Sequence, residues 1–138
     1  MDNLKNNVLP LAGRILICFI FVMSGFNKLG GAEGTIGYIA SKGVPLPSIA
    51  YALAVIVELG GGLLILAGFM TQWAALALAV FCLFTGFVFH GFGDMNNSIH
   101  TMKNIGLAGG FLFVAAHGAG MWSLDALLAR RRTGLAHA

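Results

Sequence analysis

Charge is the first scarcity in this chain. Of 138 residues only 9% are charged, eight Lys or Arg against five Asp or Glu, while 58% are hydrophobic. Soluble domains carry about 25% charged residues. A folded domain of this size cannot be given a polar coat by so few, which excludes a soluble globule and, with so much apolar residue, disorder. The net charge of +3 is small and gathers near the C-terminus in Arg130, Arg131 and Arg132. It leaves no footprint for nucleic acid and suits a juxtamembrane anchor on an anionic leaflet. Proline is scarce too, with three residues against 20 glycines, a balance that fits closely packed membrane helices rather than a loop-rich coil. The two cysteines, Cys18 and Cys82, lie far apart inside apolar runs. That spacing excludes a disulfide framework, a CxxC dithiol and a cysteine metal site, and fits small buried hydrophobes.

What is present is long apolar sequence, with a mean hydropathy of +0.87. A spanning helix needs ~20 apolar residues at 1.5 Å each. The chain is therefore expected to be an all-α integral membrane protein, a four-transmembrane-helix bundle in a lipid bilayer. Its expected spans cover residues 8–28, 48–69, 73–90 and 103–122, followed by a basic tail at 125–138. Residues 59–93 contain no charged side chain, and Gly68–Gln72 supplies the hairpin that divides them. Residues 35–40 suggest a short interfacial helix ended by Gly43. Arg14 interrupts the apolar core a signal peptide would need, so the first segment reads as an uncleaved span. An even number of spans puts both termini on one side, and the triple arginine with Lys5 makes that side cytoplasmic. Ser-Gly-Phe at 24–26 echoes Thr-Gly-Phe at 85–87, and Gly-Gly-Leu-Leu at 61–64 echoes Gly-Gly-Phe-Leu at 109–112. A duplicated helical hairpin would produce both.

Helix neighbours on one face recur at three and four positions. By that spacing the inward faces read Arg14, Cys18, Phe21, Gly25, Lys28; then Tyr51, Val55, Glu58, Gly62; then Cys82 or Leu83, Gly86, His90; and last Lys103, Gly106, Gly110, Val114, His117. Each span sets titratable residues on a small-residue stripe. Glu58 falls ~15 Å below the outer end of its span, where a lone charge costs ~2.5–3.5 kcal/mol on insertion scales. It must be paired or protonated, and Arg14 is the expected partner. That pair is either a structural tie or an intramembrane polar centre that relays a proton or holds a headgroup. A second candidate site is a polar rim at the outer end, where Lys28, His90, Lys103 and Asn104 gather with Asn27, Asp94, Asn96, Asn97 and His100. The histidine and aspartate spacings match no metal site and no bis-histidine haem.

The motifs in order are Arg-Ile-Leu (14–16), Ser-Gly-Phe-Asn-Lys-Leu (24–29), Gly-Val-Pro (43–45), Glu-Leu-Gly-Gly-Gly-Leu (58–63), Leu-Ala-Gly-Phe (66–69), Phe-Val-Phe-His (87–90), Met-Lys-Asn (102–104) and Ser-Leu-Asp (123–125). Over residues 8–128 this series resembles the DoxX family of small four-span bacterial inner-membrane proteins. The resemblance implies a four-helix bundle in the inner membrane, with Arg14, Lys28, Glu58, His90, Lys103 and Asn104 at the family's polar positions. It also implies a quinone- or sulfur-linked redox setting, with quinone as the ligand and a membrane or soluble redox partner, or a homo-oligomer, supplying the rest. Other members of the family look like partners in thiol-stress, copper-handling or peptide-modifying assemblies. Three roles therefore stand at this point: a membrane subunit of a redox system, a non-catalytic anchor for another protein, and a small-solute or proton carrier.

Overall fold

The computed structural model describes residues 1–135, so Ala136, His137 and Ala138 of the basic tail lie outside the described residues. Every regular element among the described residues is helical. In chain order these are α1 (Leu4–Gly30), α2 (Ala32–Ser41), α3 (Pro47–Ala67), α4 (Thr71–His90), α5 (Met95–His117) and α6 (Leu124–Leu135). Three of them, α1, α3 and α4, are long and apolar enough to cross a membrane. α5 packs along α4 and has 23 residues, but its polar opening turns, from Asn96 to Asn104, keep it out of that class.

The helix boundaries follow from local chemistry. Pro47 opens α3 at a position where its missing N–H costs nothing. Gly68 closes that helix at φ +70, in the left-handed region that glycine adopts without strain. α5 begins at Met95, earlier than the expected 103, because Asp94 caps it: its carboxylate accepts the backbone N–H of Asn97 at 2.9 Å. α5 also stops at His117, before the expected 122, where Gly118 turns the chain at φ +77. Each of the three spanning helices contains a widened π turn, at Leu4–Val8 where α1 opens, at Ile56–Gly61 in α3 and at Gly86–His90 in α4.

The core is narrow and built from small residues with a few large ones. Cys18, Phe21, Ile65, Ala75, Leu78, Cys82, Ala108 and Phe111 are all buried together, and Phe21 meets Phe111 edge to face with ring centroids 5.1 Å apart. Adjacent glycines let α3 contact two neighbours at once. A Cβ on Gly61 would lie 3.2 Å from Leu78 of α4, and one on Gly62 would lie 3.1 Å from Val22 of α1. The outside is more apolar than the inside needs to be. Leu16 is 76% exposed, Trp73 71% and Phe113 68%, an arrangement stable against lipid and costly against water.

The buried residues of α1 are Arg14, Cys18, Phe21 and Gly25, the face expected from the sequence. α5 turns a different face inward. Thr101, Ala108 and Phe111 are buried there, whereas Gly106 and His117 of the expected stripe are exposed. Thr101 wins because its hydroxyl must reach the carbonyls of Gly86 and Gly91, 3.0 and 2.6 Å away, at the end of α4. Phe111 wins because it fills the centre of the core.

Candidate functional site

A cavity of about 240 Å³ opens at the end of the bundle where α2 lies. Its walls are apolar, with Phe21 of α1, Ile39 of α2, Phe81 and Phe89 of α4 and Leu107 of α5. Its polar groups are Ser24 and Lys28 of α1, Thr35 and Tyr38 of α2, Glu58 of α3, Thr85 and His90 of α4, and Lys103 and Asn104 of α5. Five helices thus contribute to one site. Lys28 Nζ lies 2.7 Å from Glu58 Oε2 and donates to Ser24 Oγ at 2.8 Å. The Ser24 hydroxyl is 3.3 Å from both carboxylate oxygens. This is the only ion pair among the described residues. Glu58 is buried, while the Lys28 side chain remains 23% exposed, so the pair joins the protein interior to the cavity.

The π turn of α4 sets the polar register on its side of the cavity. In α1, Ser24 and Lys28 are four residues apart, one regular turn, and both line the cavity. In α4 the corresponding residues, Thr85 and His90, are five apart, and both line it as well. They share a face because the turn between them is π-helical, with the Gly91 N–H bonded to the Gly86 carbonyl at 2.9 Å. Gly25 and Gly86, the next residue after each hydroxyl, are both sites of close approach: an added Cβ would meet Leu59 at 2.8 Å and Asn104 at 3.1 Å, respectively. The sequence echo therefore marks two equivalent edges of one cavity.

Arg14 is not part of this site, and the expected Arg14–Glu58 pair does not form. The Arg14 guanidinium is buried at the opposite end of the bundle. There it donates to the carbonyls of Ile65 at 3.2 Å and Leu66 at 3.0 Å, and to that of Trp122. The last carbonyls of α3 have no partner within their own helix and carry the negative end of its dipole, and a guanidinium satisfies both needs. Lys28 reaches Glu58 instead because it ends α1 beside the cavity, within a side chain's length of the carboxylate.

Around Arg14 the start of α6 is tied to the α3–α4 hairpin. Asp125 Oδ1 and Oδ2 accept the backbone N–H groups of Met70 and Thr71 at 2.9 and 3.0 Å, capping α4. Its own N–H bonds to the Gly68 carbonyl at 2.8 Å. Burial pushes the Asp125 carboxyl up, but those N–H donors from Thr71 and Met70 outweigh it and hold the group below its ordinary value. Asp94, at the other end, is likewise held low by the Asn97 N–H and side-chain amide.

A family model described as DoxX matches residues 9–91 of this chain. The chain belongs to the DoxX family. It is 42% identical over 122 residues to "Inner membrane protein YqjF" of Escherichia coli (strain K12), covering 88% of this chain and 92% of that protein. It is 39% identical over 124 residues to "Inner membrane protein YphA" of the same organism, covering 86% and 89%. A shorter stretch of 67 residues is 37% identical to "Putative oxidoreductase CatD" of Bacillus subtilis (strain 168), covering 49% of this chain and 48% of that one. No solved structure matches. Family and fold together make this a membrane protein, one that sits in a lipid bilayer.

In this DoxX protein, Lys28, Glu58, His90, Lys103 and Asn104 are brought together and Arg14 is left apart. Sequence reasoning missed Ser24, Thr85, Thr35 and Tyr38. The first two were signalled by the Ser-Gly-Phe and Thr-Gly-Phe echo. Tyr38 stacks on Phe89 with centroids 5.8 Å apart and donates to the Phe89 carbonyl at 3.3 Å, which ties α2 across the mouth of the cavity. His90 and His100 stack at 4.7 Å. His117 is turned to its own helix, against the Phe113 carbonyl and ring. Cys18 and Cys82 are free thiols, each 1% exposed.

Proposed function

We propose that this DoxX-family protein is a four-span bacterial inner-membrane subunit of a quinone- or sulfur-linked redox system, and that the cavity holds the headgroup of its substrate. The observation that carries this reading is the Lys28–Glu58 ion pair beside a 240 Å³ cavity walled by aromatic rings. Cavities of ~150 Å³ hold benzene, so a substituted single ring has room here. Its carbonyl oxygens would meet the donors Lys103, Asn104 and His90. Reducing a quinone takes two electrons and two protons and yields the quinol. Glu58, at the cavity edge and in contact with Lys28 and the Ser24 hydroxyl, is the group placed to exchange protons. Lysine, glutamate and histidine exchange protons and not electrons, and asparagine only hydrogen-bonds, so in this reading the electrons come from a partner protein.

α5 serves as the fourth span in this reading, since 23 residues reach ~34 Å and its second half, Ile105–Ala116, is uncharged. Both termini then lie with the α3–α4 hairpin on the cytoplasmic side, where Lys5 and Arg130 to Arg132 fall. A cytoplasm-active reporter should work after Ala138 and fail at Gly34. The functional test is quinone reduction by the purified protein, alone and with co-purified partners. Turnover is expected only with partners, and it should be lost in Glu58→Gln and weakened in Lys103→Gln. A deletion strain restored to full growth under thiol stress by both variants, per amount of folded protein, would refute the redox role and leave the anchoring one.

A further inference from the structure

We propose that the ligand of the cavity is a small monoanion with a flat apolar body, its charged end held by Lys103, Asn104 and His90. This rests on the premise above that the cavity is the working site and sets an anionic ring in place of the neutral one. Two lysines and one carboxylate line the cavity, so with neutral histidine its formal charge is +1. Glu58 is committed to Lys28 and Ser24. The nearest other carboxylate in sequence, Asp94, is turned to Asn97. Lys103 is left with a single polar contact, the ring nitrogen of His100 at 3.3 Å.

The donors are in excess in the same way. The Asn104 amide has no hydrogen-bond partner among the described residues, although it is half-buried against Gly86. His90 uses only Nδ1, against Asn97 Oδ1 at 3.4 Å, which leaves Nε2 free. The hydroxyls offer little competition, because Thr85 donates to the Phe81 carbonyl at 2.8 Å and Tyr38 to that of Phe89. An ammonium, an amide and an imidazole lining an aromatic-walled space favour a ligand that brings acceptors and a negative charge. A neutral ring with two carbonyls answers the donors and leaves the charge uncompensated. A carboxylate or phenolate on a single ring answers both, at a size the cavity accepts.

The test uses benzoate and its neutral counterpart of the same shape, benzamide, in equilibrium dialysis and thermal unfolding of the full chain in detergent. Benzoate is expected to bind about ten-fold or more tightly than benzamide, the worth of one charge-assisted contact. Lys103→Gln should remove that preference without changing the melting temperature of the unliganded protein, since Lys103 is exposed and makes no ion pair. Lys5→Gln, at the other end, should keep it. Equal binding of the two probes, or a preference that survives Lys103→Gln, overturns the anion and leaves the cavity reading standing. Binding of a short-chain benzoquinone alone, blocked by Ala54→Phe, which fills the cavity from its α3 wall, does the same. Probe binding that Ala54→Phe leaves untouched overturns both.

Discussion

A double-mutant cycle on Arg14, Lys28 and Glu58 separates the two ends of the bundle. Arg14 donates to three backbone carbonyls, and a hydrogen bond to a charged group contributes about 1.5–3 kcal/mol. Glutamine at this position keeps one such bond at best and loses the charge at the α3 C-terminus. Arg14→Gln should therefore lower stability by about 3–5 kcal/mol, and Arg14→Lys, which keeps the charge but not the fork, by about half of that. Glu58→Gln should cost less, about 1–3 kcal/mol, because the Lys28 ammonium it strands is partly open to the cavity and can hydrate. The decisive quantity is the coupling. Ile65, the first carbonyl Arg14 touches, is seven residues beyond Glu58 on α3, or ~10 Å along the axis. Effects at such a distance add to within about 0.5 kcal/mol, whereas the contacting pair Lys28 and Glu58 should couple by about 1 kcal/mol or more. Reversible unfolding of all single and double variants in mixed detergent measures both values. A coupling above ~1 kcal/mol between Arg14 and Glu58 would show that the guanidinium serves the carboxylate after all, and would refute the separation drawn here.

Other outcomes follow from individual contacts. Gly25→Ala drives a methyl to 2.8 Å from the Leu59 Cβ and should destabilise by about 1–3 kcal/mol, whereas Gly37→Ala in α2 meets nothing within 4 Å and should stabilise by about 0.5–1 kcal/mol; thermal unfolding of the two reads the contrast. Because the Asp125 carboxyl is held below its ordinary value in the folded protein, its contribution is complete above the unfolded pKa of about 3.9 and is lost as pH falls through the folded value. Asp125→Asn should flatten the acid limb of the stability profile, and an unchanged limb would exclude the cap. Cys18 and Cys82, each 1% exposed, should resist a membrane-permeant maleimide in the folded protein and react once it is denatured; rapid labelling of either would mean the core is open.

Individual helices were legible from hydropathy because lipid imposes length and composition directly. The Gly68 hairpin, the short helix before Gly43 and the inward face of α1 each rested on local signals that no distant contact overrides. The pairing of charges was not legible. Arg14 and Lys28 lie on the same face of one helix, and which of them meets Glu58 depends on how α1 and α3 are offset lengthwise, a property of packing that hydropathy does not carry. The inward face of α5 escaped for a related reason. Lys103 and the glycines suggested one stripe, while the carbonyls of Gly86 and Gly91 at the end of α4 drew the Thr101 hydroxyl towards them. The π turns left no signature in composition, yet without the one at Gly86–His90 the imidazole of His90 would point away from Thr85.

The knot at Arg14 also sets an order of assembly. Its acceptors come from residues 65, 66 and 122, and the neighbouring bond from the Met121 N–H to the Asn6 carbonyl joins the start of α1 to the segment between α5 and α6. During synthesis the first helix waits in the bilayer with a guanidinium only partly served until Trp122 has left the ribosome. A nascent or truncated chain ending before Met121 is then distinguishable from a finished one by a buried positive charge that still lacks an acceptor, the kind of flaw a membrane protease can act on. Arrival of Trp122 and full concealment of that charge are the same event.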